Sequence, residues 1–180
     1  LNYRMILKRY SLLIIATLLL VTVSSLFARG VYQTDEDFIS EAFLNKPPEN
    51  SRIMLGGDVR KRVTSLLGHP YGGLIIKYWE KEGRTAWILE EIGKTEPITF
   101  GIIIKNSKIE KIKVLEFRES RGWEVKYPAF TKQYNGAGLE GDKLDKNIDG
   151  VSGATLSLWA MNGVSRVALY LSQHLSNKPK

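Results

Sequence analysis

The sequence predicts an α+β domain, an antiparallel sheet packed against helices, preceded by an N-terminal membrane helix or signal segment. Three observations predict it. Four strand-like segments follow one another in mid-chain, separated by short turn signals, the pattern of consecutive antiparallel strands. Apolar residues recur at helical spacing before that block, in 34–44 and 57–67, and after it from 155 onward. Residues 11–27 form a 17-residue run with no charge, led by Lys8 and Arg9.

The elements are justified in chain order. The run 11–27 is short for a span and long for a signal-peptide core. Basic residues before it keep the N-terminus in the cytoplasm and send the rest outward. Ala28 is a candidate cleavage position, but Leu26 is a poor residue two places before it, so an uncleaved anchor is favoured over a cleaved signal. Met5 is a candidate start. Residues 34–44 read as a short helix with Thr34 as cap, Glu36 and Asp37 in the first turn, and Phe38, Ile39, Ala42 and Phe43 as its stripe. Residues 45–50, with Pro47 and Pro48, read as a linker, and 57–67 as a second helix ending at Gly68-His69-Pro70. Strands are expected at 74–79 and 85–90 around an 81–84 turn, and at 98–104 and 108–117 around Asn106-Ser107. In the last of these, Ile112 and Val114 are expected on one face and Leu115 and Phe117 on the other, so that part of the sheet is covered on both sides. The final helix carries Leu156, Ala160, Val164, Val167, Ala168, Leu171 and Leu175 as a core stripe, with Asn162, Ser165, Arg166 and Gln173 elsewhere. This divides the chain into an anchor or signal segment at 1–30, a helical linker region at 31–70 and the principal domain at 71–180.

Composition narrows the function classes. Without cysteine there is no disulfide, thiolate metal site, iron–sulfur ligation or cysteine nucleophile. The two histidines, His69 and His174, are far apart in sequence, so a histidine metal site is not expected. The formal charge of +7 is spread out. Its densest cluster, Lys108, Lys111 and Lys113, is interrupted by Glu110 and Glu116, which reads as a solvated strand edge and not as a nucleic-acid footprint.

The chemistry concentrates where the last helix begins, at Asp149-Gly150-Val151-Ser152-Gly153-Ala154-Thr155-Leu156-Ser157. The first turn of a helix leaves N–H donors unpaired and favours negative charge, which makes it a seat for phosphate. Gly150 and Gly153 admit backbone angles closed to other residues, and Ala154 keeps the space beside Thr155 clear. The bland alternative is that Ser152 or Asp149 is an ordinary N-cap.

This stretch resembles the flavin-attachment motif of the FMN-binding domain family, in which a D-x-x-S/T-G-A-T-x-S/T sequence carries FMN through a phosphoester to its threonine. Every defining position is filled. The resemblance implies covalent FMN at Thr155, with Asp149, Ser152, Gly153, Ala154 and Ser157 around it, and a flavin transferase that uses FAD and Mg2+ and recognises Asp149. It implies membrane redox partners and a place on the inner membrane facing the periplasm by a single anchor, or in the periplasm after signal cleavage. The FMN-bearing subunits of Na+-translocating NADH:quinone reductase and of Rnf-type complexes carry a Glu-Thr-Pro-Gly-Leu-Gly type turn before the motif. Here Glu119 and Gly122 are kept, proline is absent and Arg121-Gly122-Trp123 stands instead, which implies a separate branch. Trp123 is then either a stacking partner for the flavin or a packing residue, and Arg118 and Arg121 are either flavin ligands or ion-pair partners. No nicotinamide site or proton-transfer dyad accompanies the motif, so the expected role is an electron carrier rather than an enzyme with its own substrate. The alternatives are a small FMN-dependent reductase and a non-redox membrane-tethered binding module.

Overall fold

The computed structural model describes residues 30–177. The anchor or signal segment read from 11–27 lies outside the described residues, and among these no helix is long and apolar enough to cross a membrane. Six strands form one antiparallel sheet: β1 (Gly30–Val31), β2 (Asn50–Met54), β3 (Ile75–Lys81), β4 (Arg84–Ile92), β5 (Pro97–Lys105) and β6 (Lys108–Phe117). Their order is β1-β6-β5-β4-β3-β2, so β1 and β2 are the edges. A small separate hairpin pairs β7 (Leu139–Glu140) with β8 (Lys143–Leu144).

Turn chemistry fixes the central hairpins. Glu82 and Gly83 join β3 to β4 at φ 53° and 71°, while Asn106 and Ser107 join β5 to β6 at 52° and 58°. Two consecutive left-handed residues match the right-handed twist of the strands they connect. The helices are equally local in origin. α1 (Asp35–Ala42) starts at Thr34, whose hydroxyl accepts a bond from the Asp37 N–H at 3.1 Å. α2 (Gly57–Leu67) stops at Gly68, which takes φ 88° at the C-cap. The one-turn α3 (Pro128–Thr131) and the long α4 (Thr155–Ser176) follow the sheet.

The sheet is covered on both faces, as expected. Trp87, Phe100, Ile102, Ile112 and Phe117 share the main core with Val164, Val167, Ala168 and Leu171 of α4. The opposite face carries Ala86, Ile103 and Leu115 under Phe38, Ile39 and Ala42 of α1. Phe117 corrects the sequence reading, which put it with Leu115. Register shifts on β6 opposite Thr99/Phe100 and Ile103/Ile104 leave Leu115 and Glu110 as extra residues, so Ile109, Ile112, Val114 and Phe117 all reach the main core. The α4 stripe also differs. Leu156 is exposed, and Ser165, assigned to the polar positions, is fully buried. The sheet and α2 both pack on α4, which buries a wider arc than one stripe. Residues 31–70 supply α1, α2 and edge strand β2, and Ile53, Leu55, Val63 and Leu66 join the main core. Strand β2 escaped the periodicity reading because only Ile53 within it is buried.

Candidate functional site

The loop before α4 is tied to the body of the domain by several bonds. The Asp145 carboxylate accepts the Gly138 N–H at 2.7 Å and pairs with Lys108. The Gln133 side-chain carbonyl accepts the Asp149 N–H at 2.8 Å, and its NH2 group approaches the Asp149 carbonyl at 3.5 Å. The chain then turns through Gly153, at φ +86°, into a bond from the Ala154 N–H to the Val151 carbonyl at 3.0 Å. Gly150 has no positive φ, so only Gly153 needs glycine's conformational range.

Ala154 is the N-cap residue and α4 starts with Thr155, with no side chain bonded to the first-turn N–H groups. Neither Ser152 nor Asp149 caps the helix, so the ordinary-cap explanation of the motif fails on geometry. Thr155 is exposed, while Ala154 and Ser157 are buried beside it. The uncapped N-terminus leaves donors and a positive dipole end facing outward.

The facing wall is built from the end of β6. Glu119 is buried, and its carboxylate accepts the Thr95 N–H at 2.6 Å, the Glu96 N–H at 2.9 Å, the Thr95 hydroxyl at 3.3 Å and the Lys94 N–H. Burial acts to raise its pKa, but the backbone donors of Glu96, Thr95 and Lys94 outweigh that effect and hold it below the usual carboxylate range. These bonds lock the β4–β5 turn and carry Lys94 to the helix end. Gly122, at φ +82°, lies flat on α4: a Cβ there would stand 2.6 Å from Ser157 Oγ and 3.4 Å from Ala154 Cα.

Between the walls lies a cleft of about 550 Å³. Lys94, Glu119, Ser120 and Arg121 line one side, and residues 153–157 the other. Lys94 and Arg121 are exposed, and neither makes an ion pair among the described residues. The structure thus brings Glu119, Gly153, Ala154, Thr155 and Ser157 together, with Gly122 packed behind. Ser152 and Asp149 are exposed in the preceding loop, outside the lining. Trp123 does not line the cleft. It is half-buried against the main core, its ring edge-on to Tyr127 at 5.5 Å.

Arg118 is engaged elsewhere, bonded to Glu116 and to the Pro97 carbonyl at 3.1 Å, with Glu90 at 3.4 Å. Of the basic strand-edge residues, Lys108 pairs with Asp145, and Lys111 and Lys113 both pair with Glu41. His69 sits on Glu91 at 3.1 Å. Lys94, Ser120 and the exposure of Leu156 were not found by sequence reasoning. Lys94 is distant from the motif in sequence, and only the Glu119 bonds bring it there.

The model of the FMN-binding domain family matches residues 93–169, which run from the Glu119-held turn into α4 and include both walls of the cleft. Residues 93–169 are thus similar to an FMN-binding domain. Searches of curated proteins and of solved structures each gave no match. The donor set of the cleft suits a flavin phosphate: an uncapped helix start, two cations without ion pairs among the described residues, and an exposed threonine.

Proposed function

We propose that the domain is a membrane-associated extracytoplasmic electron carrier holding FMN covalently through a phosphoester to Thr155. One observation carries this reading. Thr155 presents an exposed hydroxyl at an uncapped helix N-terminus, inside a cleft whose other wall supplies Lys94 and Arg121. The motif's own alternative acceptor, Ser157, is buried under Gly122, and Ser152 lies outside the cleft.

The chain's residues have distinct tasks. The Thr155 hydroxyl is the attacking group: it loses its proton and its oxygen bonds the FMN phosphorus of FAD, with AMP leaving, in a step run by a flavin transferase. The first-turn N–H groups, Lys94 and Arg121 then balance the phosphodiester charge. Asp149 stands clear of them, which avoids repulsion with the phosphate and leaves its carboxylate open to the transferase. Gln133 keeps the loop in place by holding the Asp149 backbone. Bound FMN supplies one- or two-electron transfer, and the protein supplies its position and electrostatics. The outward orientation rests on Lys8 and Arg9 ahead of the apolar run.

The cations give a direct test. Lys94→Gln and Arg121→Gln, made singly and together in the FMN-loaded chain, should lower the salt dependence of the reduction potential, most in the double variant, because the charges that salt screens are gone. They should leave the fold intact. Equal salt dependence in wild type and double variant would remove both cations from the site.

A further inference from the structure

Two exposed apolar side chains stand beside the tether: Leu156 is 39 % exposed and Trp159 is 63 % exposed. Trp159 is four residues beyond Thr155, a spacing that makes side chains neighbours on a helix surface, with Cβ atoms about 5–6 Å apart. Helical side chains lean toward the N-terminus, so an indole at this position covers the turn that carries Thr155. The side chains lining the cleft are mostly polar. Its facing wall offers Lys94, Ser120 and Arg121, and its apolar side chains are confined to Ala154 and Leu156. That lining suits a phosphate and a polyol chain but gives a fused aromatic ring no floor. The apolar surface continuing from the cleft along the exposed face of α4 is Leu156 and then Trp159.

We propose that Trp159, flanked by Leu156, is the platform on which the flavin ring lies; the inference rests on attachment at Thr155. A ring placed there is held by offset stacking on the indole. Its other face is open to solvent, where a redox partner can approach. Trp123, half-buried and facing Tyr127, does not serve this role.

Fluorescence tests the platform apart from any electron-transfer activity. An indole in contact with an excited flavin passes it one electron, which then returns, so emission is lost without net chemistry. The full chain carrying FMN is compared with Trp159→Ala and Trp159→Phe, with the mass of peptide 147–166 measured for each. All three should carry the FMN mass. Emission per attached flavin should rise roughly two- to tenfold in Trp159→Ala, the factor set by a typical aromatic stacking energy. Collisional quenching by iodide should also increase in that variant, whereas Trp159→Phe, which still covers one ring face, should stay near wild type in iodide access. Should Trp159→Ala not accept FMN, Trp159→Leu carries the same comparison. Attached flavin with unchanged emission and unchanged iodide access overturns the platform alone. A wild-type peptide from transferase-containing cells without FMN overturns the Thr155 reading and the platform with it.

Discussion

Thr155 donates and accepts nothing that the fold requires: it is exposed, and no side-chain bond caps the helix it begins. Thr155→Val keeps its shape and removes the oxygen, so covalent flavin should vanish at a stability cost of about 1 kcal/mol or less. Thr155→Ser keeps the oxygen and should retain some attachment. FMN persisting on the denatured Thr155→Val chain would move the ester to another hydroxyl. Gly122 is the opposite case, a residue whose side of the cleft is structural. A methyl at φ +82° and 2.6 Å from Ser157 Oγ forces backbone strain and a shift of the helix end. Gly122→Ala should cost about 1–3 kcal/mol in chemical denaturation; a change within a few tenths would show that the contact relaxes freely. At this scale the sequence was informative where neighbours are sequential. Residues 153–155 are consecutive, so motif and site coincide there. Lys94 was not legible, because its place depends on a buried carboxylate collecting the N–H groups of a distant turn.

Between elements, the decisive contacts are those that hold α1 against the sheet. The Phe38 ring lies directly on Gly101 of β5, where a Cβ would stand 2.7 to 2.8 Å from three ring carbons. Gly101→Ala should therefore destabilise by about 1–3 kcal/mol through overpacking, read as a lower urea midpoint. An unchanged midpoint would mean that α1 can slide outward without loss. Glu41 of α1 ties the same layer to β6 through Lys111 at 2.8 Å and Lys113 at 2.6 Å. Burial acts to raise the pKa of Glu41, but Lys111, Lys113 and Gln33 outweigh it and lower it from 4.5 to about 2. A carboxylate depressed on folding stabilises above its unfolded pKa, and that contribution is lost as pH falls from 4.5 toward 2. Glu41→Gln should cost about 1 kcal/mol or less at neutral pH, given its partial exposure, with the difference closing across that acid window. A pH-independent difference would assign the effect to packing. Hairpins and helices of this layer were readable from turn residues and caps, which act locally. The bulges of β6 were not. They are set by partner strands, and each inverts the face on which the following residues lie.

Taken whole, the molecule is a sheet with a thin apolar layer on one face and α2 with α4 on the other, and the cleft opens where the end of β6 meets the start of α4. The α+β class and the antiparallel order followed from consecutive strands with short turns. The contribution of β2, which lies in the region read as a helical linker (31–70), did not, because an edge strand with one buried residue has no periodic signature. The proposed outward orientation is open to protease added to spheroplasts, which should digest the domain while cytoplasmic markers survive; protection would reverse it. The central claim concerns one bond. Trypsin cuts after Lys146 and Arg166 and so isolates peptide 147–166, with Thr155 inside it. In protein purified from cells with an active flavin transferase, that peptide should carry the FMN mass through phosphate after denaturation, with fragmentation placing it on Thr155. An unmodified peptide from such cells, or FMN released on unfolding, would contradict covalent attachment.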